Sequence, residues 1–194
     1  MYSYLEGKLV EKTPTYVTLD VNGIGYQIHI SLNTFSQIGD NEACKLLCHF
    51  VVREDAQLLY GFFKENERIL FRNLISVSGV GANTARLILS SMTTEDLFAI
   101  ITNGNANALQ KVKGIGGKTA QRIIIDLQDK LGKQDLLTEN MPISHNTRRD
   151  EALSGLVILG FNKNIAARAI DKILAKEGSE LTVEQIIKSS LKIL

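Results

Sequence analysis

The chain has 194 residues, 44% of them hydrophobic and 22% charged, with a formal net charge of +1. That apolar content supports packed cores and excludes wholesale disorder, and the length accommodates one large domain or two to three small ones. No apolar run approaches the roughly 18–20 residues that span a bilayer, so a membrane protein is excluded.

Residues 1–63 carry a net charge of −3 and read as β structure. YLEGKLVEK, TYVTLDVN, GYQIHIS, LLCHFVVRE and QLLYGFF are short runs rich in Val, Ile, Tyr and Phe, and several alternate in polarity. Asn22-Gly23 between two such runs predicts a tight hairpin. Five short strands with one interrupting segment, 32–39, suit a Greek-key barrel of the OB type, which leaves no open sheet edge. Glu54-Asp55, between two apolar strands, is expected at a hairpin tip; position alone fits an ordinary solvated turn. The opening MYSYLEGKLVEK has no apolar h-region, so a secretory signal is not expected. Cys44 and Cys48, the two cysteines of the chain, cannot staple a fold of this size. They are read as buried, inert thiols in a reducing cytoplasm.

Residues 64–135 carry +3 and change period. They read as helices punctuated by glycines, with Thr93 or Thr94 capping one of them ahead of Glu95 and Asp96. Residues 136–147 lose periodicity and read as a linker. Residues 148–194 carry +2 and regain helical spacing as three short helices, with breaks at Gly160 and Gly178-Ser179. The expectation is therefore an α+β multidomain chain with a barrel, a central all-α segment and a small three-helix domain.

LISVSGVGANTARLILSSM (74–92) aligns with LQKVKGIGGKTAQRIIIDL (109–127) at an offset of 35, with seven identities in 19 positions. A repeated helix–turn–helix unit is the simplest reading. In each copy a Gly-apolar-Gly turn, Gly79-Val80-Gly81 and Gly114-Ile115-Gly116, follows one apolar helix and precedes another. The central residue can plug the core. The second glycine leaves the next helix's unpaired N–H groups open to an anion, and the helix dipole adds to the attraction. Thr84 and Thr119 fall in the first turn, where a hydroxyl can reach a phosphate. Lys118 and Arg122, four apart, share a face of the second copy's helix, while Asn83 occupies the place of Lys118 in the first. One Gly-x-Gly turn is common and carries little weight. Two copies in register form the tandem helix-hairpin-helix pattern of sequence-independent DNA binding.

Other chemistries fit poorly. Gly117-Lys118-Thr119 ends like a P-loop, but the position of the leading glycine is Val112. The third glycine of a dinucleotide fingerprint is Thr84 in one copy and Thr119 in the other. No ATPase motif, metal cluster, catalytic triad or cofactor site is expected. His29, His49 and His145 are scattered.

VVREDAQLLYGF at 51–62, the paired GVGANTA and GIGGKTA, and LVILGF at 156–161 together resemble the RuvA family over the whole chain. RuvA is the junction-binding subunit of the bacterial RuvAB branch-migration machinery of recombination and DNA repair. The resemblance implies a homotetramer, paired into an octamer in some members, that holds a four-way (Holliday) junction open and square-planar. It implies that 1–63 forms the tetramer core and that 64–135 grips DNA backbone through Gly79, Gly81, Asn83, Thr84, Gly114, Gly116, Gly117, Lys118, Thr119 and Arg122. Glu54 and Asp55 would form an acidic pin at the crossover. Leu156, Leu159 and Phe161 in 148–194 would dock the RuvB-type hexameric ATPase, and a RuvC-type resolvase would be a further partner. Gly117 and Asn83 depart from the family, where lysines are common, so Arg72, Arg86, Lys111 and Lys113 are candidates to supply the missing charge. Two rival readings stay open: a single-strand binder using barrel aromatics, and a DNA-processing enzyme built on the hairpins. The acidic barrel disfavours the first, and the lack of a carboxylate cluster disfavours the second.

Overall fold

The computed structural model describes residues 2–39, 41–132, 146–178 and 180–194. The chain divides into two compact units, Met1–Leu137 and Thr138–Leu194. Of the expected linker, 136–145 lies outside the described residues.

Strands β1 (Tyr4–Lys12), β2 (Tyr16–Val21), β3 (Ile24–Ile30), β4 (Ala43–Val52) and β5 (Gln57–Phe62) close a barrel in the order β1-β2-β3-β5-β4. β3 and β5 run parallel and the other neighbours antiparallel. Asn22 and Gly23 turn the β2–β3 hairpin with φ of 54° and 85°, the left-handed pair that a two-residue hairpin requires. Inward residues Val17, Leu19, Ile28, Ile30, Leu46 and Cys48 fill the barrel, and Phe35 of the short helix α1 (Leu32–Gln37) packs on them. This is the OB-type barrel expected from the alternating runs.

Five helices follow: α2 (Glu65–Ile75), α3 (Ala82–Ser91), α4 (Thr94–Thr102), α5 (Ala106–Gln110) and α6 (Gly117–Gly132). Thr93 is the cap of α4; its hydroxyl accepts from Asp96 N at 3.1 Å. The helices do not form a core of their own apart from the barrel. Tyr60 and Phe62 of β5 belong to the same apolar cluster as Phe71, Leu74, Ile88 and Leu127. Their ring centroids lie 5.0 and 4.9 Å from that of Phe71. β5 is thus covered on both sides, with Leu59 packed on the barrel interior and Leu58, Tyr60 and Phe62 on the helices. That explains its continuous apolar sequence.

Polar contacts lock the same seam. Asn33 Nδ2 donates to Leu89 O and Met92 O at 2.7 and 2.8 Å, capping the end of α3 from the barrel side. Arg86 of α3 donates to Thr15 O and Ile30 O at 3.1 and 3.3 Å. Glu67, 1% exposed, accepts hydrogen bonds from the hydroxyls of Ser31 and Thr34. Burial pushes its carboxyl above the ordinary value, and the two hydroxyls pull it part of the way back.

The second unit contains α7 (Asn146–Ile158), α8 (Lys163–Glu177) and α9 (Val183–Leu191) around Ala152, Leu156, Ala166, Ile170 and Ile186. Arg149 holds the Asp171 carboxylate with two hydrogen bonds, 2.7 and 3.0 Å, joining α7 to α8. Thr182 and Gln185 form a capping box on α9.

Candidate nucleic-acid interface

The two copies of the repeat fold alike, bond for bond. Val77 N donates to Leu74 O and Val112 N to Leu109 O, both at 3.1 Å. Val80 N donates to Val77 O at 3.0 Å and Ile115 N to Val112 O at 3.1 Å. Ala85 N donates to Gly81 O and Ala120 N to Gly116 O, both at 2.9 Å. Gly79 and Gly114 have φ of +89° and +90°, a conformation that side-chain-bearing residues rarely adopt. Val80 and Ile115 are each 5% exposed and fill the core between the helices, as expected of the central residues.

What remains outside each turn is backbone. Gly81 is extended, with φ −84° and ψ 165°, and α3 starts without a side-chain cap. The first amides of α3 therefore have no intrahelical acceptor and no local hydroxyl or carboxylate to satisfy them. Around Gly116 a Cβ would meet nothing within 4 Å, so the start of α6 is open to an approaching group. Lys118 is exposed at this position, and Thr84 and Thr119 are half-buried in their first turns. Such helix starts suit sugar–phosphate oxygens.

Two guanidinium groups from outside the first copy reach its turn. Arg122 of α6 donates to Ser78 O at 3.1 Å and to Ser78 Oγ at 3.4 Å, fastening the second hairpin to the turn of the first. Arg53, at the start of the β4–β5 loop, places its Nη2 3.9 Å from where a Cβ on Gly81 would stand. That loop is closed by Arg53 N donating to Ala56 O at 2.8 Å, and it carries Glu54 and Asp55, both exposed. Through the Arg53 side chain the loop thus reaches the first hairpin.

The expected cations divide. Lys111 and Lys113 are exposed beside the second turn, while Arg72 is exposed at the end of α2. Arg86 is spent on the barrel carbonyls, and its Nη2 also donates to Asn83 Oδ1 at 3.0 Å. Arg53 was not among the expected cations; nothing local in the sequence connects it with a turn 28 residues later. In the second unit Leu156 is fully buried, Phe161 packs against the core, and Leu159 is 60% exposed beside Ile158 at 85%. Burial raises both thiols, Cys48 to about 11, which leaves them protonated and unreactive. Among the described residues no group of three or more His, Cys, Asp or Glu is placed to hold a metal ion. No helix among them is long and apolar enough to cross a membrane.

Family models match three stretches in order: the RuvA N terminal domain over 1–61, a SAM-like helix-hairpin-helix tandem over 71–129, and the RuvA C-terminal domain over 147–194. A protein of Christiangramia forsetii called Holliday junction branch migration complex subunit RuvA is 50% identical over 192 residues, covering 99% of each chain. The chain belongs to the RuvA family. Proteins of the same name from Cytophaga hutchinsonii and Flavobacterium psychrophilum are each 45% identical, again covering 99% of both chains. In this RuvA-family chain the helix-hairpin-helix match takes in both glycine turns, and the RuvA N-terminal match takes in the barrel with Arg53, Glu54 and Asp55.

Proposed function

We propose that the chain binds four-way DNA junctions, holds them open and recruits a RuvB-type ATPase for branch migration in recombination and repair. The observation that carries this reading is the pair of glycine turns with open helix starts, tied at a fixed separation by Arg122 on Ser78. Two amide nests so held suit two phosphates of one duplex arm. Each nest offers donors and a helix dipole but no side chain that reads a base edge, so sequence preference is slight and affinity falls steeply with salt. Gly79, Gly81, Gly114, Gly116 and Gly117 contribute backbone, Thr84 and Thr119 hydroxyls, Asn83 a side-chain amide, and Lys118 and Arg122 charge.

Glu54 and Asp55 act by repulsion. Presented by several chains around a crossover, their carboxylates keep phosphates out of the centre and separate the strands. Four copies match the fourfold symmetry of the junction, with face-to-face pairing as an octamer the larger form. The segment 148–194 carries the motor contact on Leu159 and the apolar residues near it, with Leu156 holding α7 in place and Phe161 bracing the turn after it. A RuvC-type resolvase and a cytoplasmic setting complete the reading. The subunit itself performs no chemistry.

The test is fluorescence anisotropy with a four-way junction, a linear duplex and a single strand of the same sequence, across a salt series. The junction should bind tightest, and Lys118→Glu should weaken it about tenfold or more at moderate salt. Preference for the single strand, cleavage of the junction in Mg²⁺, or an indifferent Lys118→Glu would each contradict the proposal.

A further inference from the structure

The two hairpins are equal in backbone and unequal in charge. At the offset of 35, Lys111, Lys113 and Lys118 of the second copy correspond to Ser76, Ser78 and Asn83 of the first. The first turn thus has no cation of its own at any of the three positions, although α3 starts without a side-chain cap. Arg86, the one base within the first copy, is turned away onto Thr15 O and Ile30 O.

Guanidinium groups from elsewhere flank that turn. Arg122 reaches it at the Gly79 end, where a Cβ would stand 3.9 Å from its Nη1. Arg53 reaches it at the Gly81 end, at the same separation from Nη2. Arg53 is exposed and forms no ion pair among the described residues, although Glu54 and Asp55 are its neighbours in sequence. Burial raises the Tyr60 phenol, and the charges of Arg86 and, less, Arg53 oppose that rise.

We infer that Arg53 supplies the phosphate-binding charge of the first hairpin, lent across the fold from the loop that carries the acidic pin. The proposal rests on the junction-binding reading above and deepens it. A planar guanidinium beside an open helix start can share one phosphate with the Gly81 and Ala82 amides, each taking a different oxygen. The barrel loop then does two opposite things: Arg53 holds an arm's backbone at the first hairpin, and Glu54 and Asp55 repel phosphates one and two residues further on. The arm's grip and the pin's position are set by one short segment, closed by Arg53 N on Ala56 O. Asn83 is compatible with this arrangement because charge arrives from outside the repeat.

The experiment measures junction affinity against salt for the full-length wild type, Arg53→Gln, Arg53→Lys, and Arg53→Gln combined with Asn83→Lys. Arg53→Gln should weaken binding about tenfold at moderate salt and reduce the slope of log K against log salt by about 0.9 for each phosphate that is no longer neutralised. Arg53→Lys should keep the slope. Asn83→Lys in the Arg53→Gln background should restore it, by placing a cation where the second hairpin has Lys118. If the wild type binds and Arg53→Gln leaves the slope unchanged, whether or not affinity falls, the assignment of Arg53 is overturned while junction binding stands. If the wild type fails to prefer the junction, it is the underlying reading that falls.

Discussion

Gly79 and Gly114 sit where a side chain is excluded by backbone conformation, not by crowding: beside Gly114 a Cβ would meet nothing within 4 Å. Alanine at either site must adopt the left-handed region, at about 1–2 kcal/mol. Denaturant midpoints should fall accordingly, and junction binding should weaken by more than stability does, because the turn would reorient the amides after it. A variant bound as tightly as wild type would separate the turn from the interface. Glu67 makes a different residue-scale prediction. Its carboxyl is raised by burial, so the folded state takes up a proton more readily than the unfolded state. The stability it contributes is full below the unfolded value near 4.5 and is lost as pH rises through the folded value. Glu67→Gln does not titrate. Wild type should therefore gain stability relative to Glu67→Gln as pH falls from neutral towards 4.5; a difference flat with pH would show that Glu67 does not titrate as placed. The glycine turns were legible in sequence because they recur at a fixed offset with their apolar plugs. Glu67 was not, since its partners Ser31 and Thr34 lie more than thirty residues away.

The hairpins, as elements, are held by more than their own repeat. The end of α3 is capped by Asn33 from α1, 56 and 59 residues away in sequence. Asn33→Ala would strip Leu89 O and Met92 O of a shared donor, at a cost of about 1–3 kcal/mol. It should also loosen α3 on the barrel, read as faster amide exchange at the end of α3 with α6 unchanged. Equal loss across both hairpins would argue that they unfold as one. Strand and helix positions were readable from period, the Asn22-Gly23 turn and the cap at Thr93. The reading of 1–63 and 64–135 as segments gave no sign that β5 faces two cores, because a strand buried on both sides loses its alternation. Side-chain interlocks such as Arg122 on Ser78 and Arg86 on Thr15 O leave no local signature, and so the sequence offers Arg86 to the interface and not Arg53.

Across the whole molecule the work is divided between two compact units. The first carries both glycine turns and the acidic loop; the second is a small helical unit with exposed Ile158 and Leu159. Removal of 148–194 should leave junction affinity within about twofold and abolish capture of the ATPase motor in a pull-down, since no proposed phosphate contact lies beyond Arg122. Capture by the shortened chain would move the motor contact into the first unit. In sequence the loss of periodicity at 136–147 reads as a linker, and the role of each part comes from the resemblance carried by VVREDAQLLYGF and the paired glycine turns. The central claim is that twin backbone nests, repeated by rotation, hold the four arms of a junction. Sedimentation equilibrium of the purified chain, alone and with a synthetic four-way junction, tests it most directly. The account predicts four chains, or eight, on one junction; a complex of one or two chains per junction would contradict it.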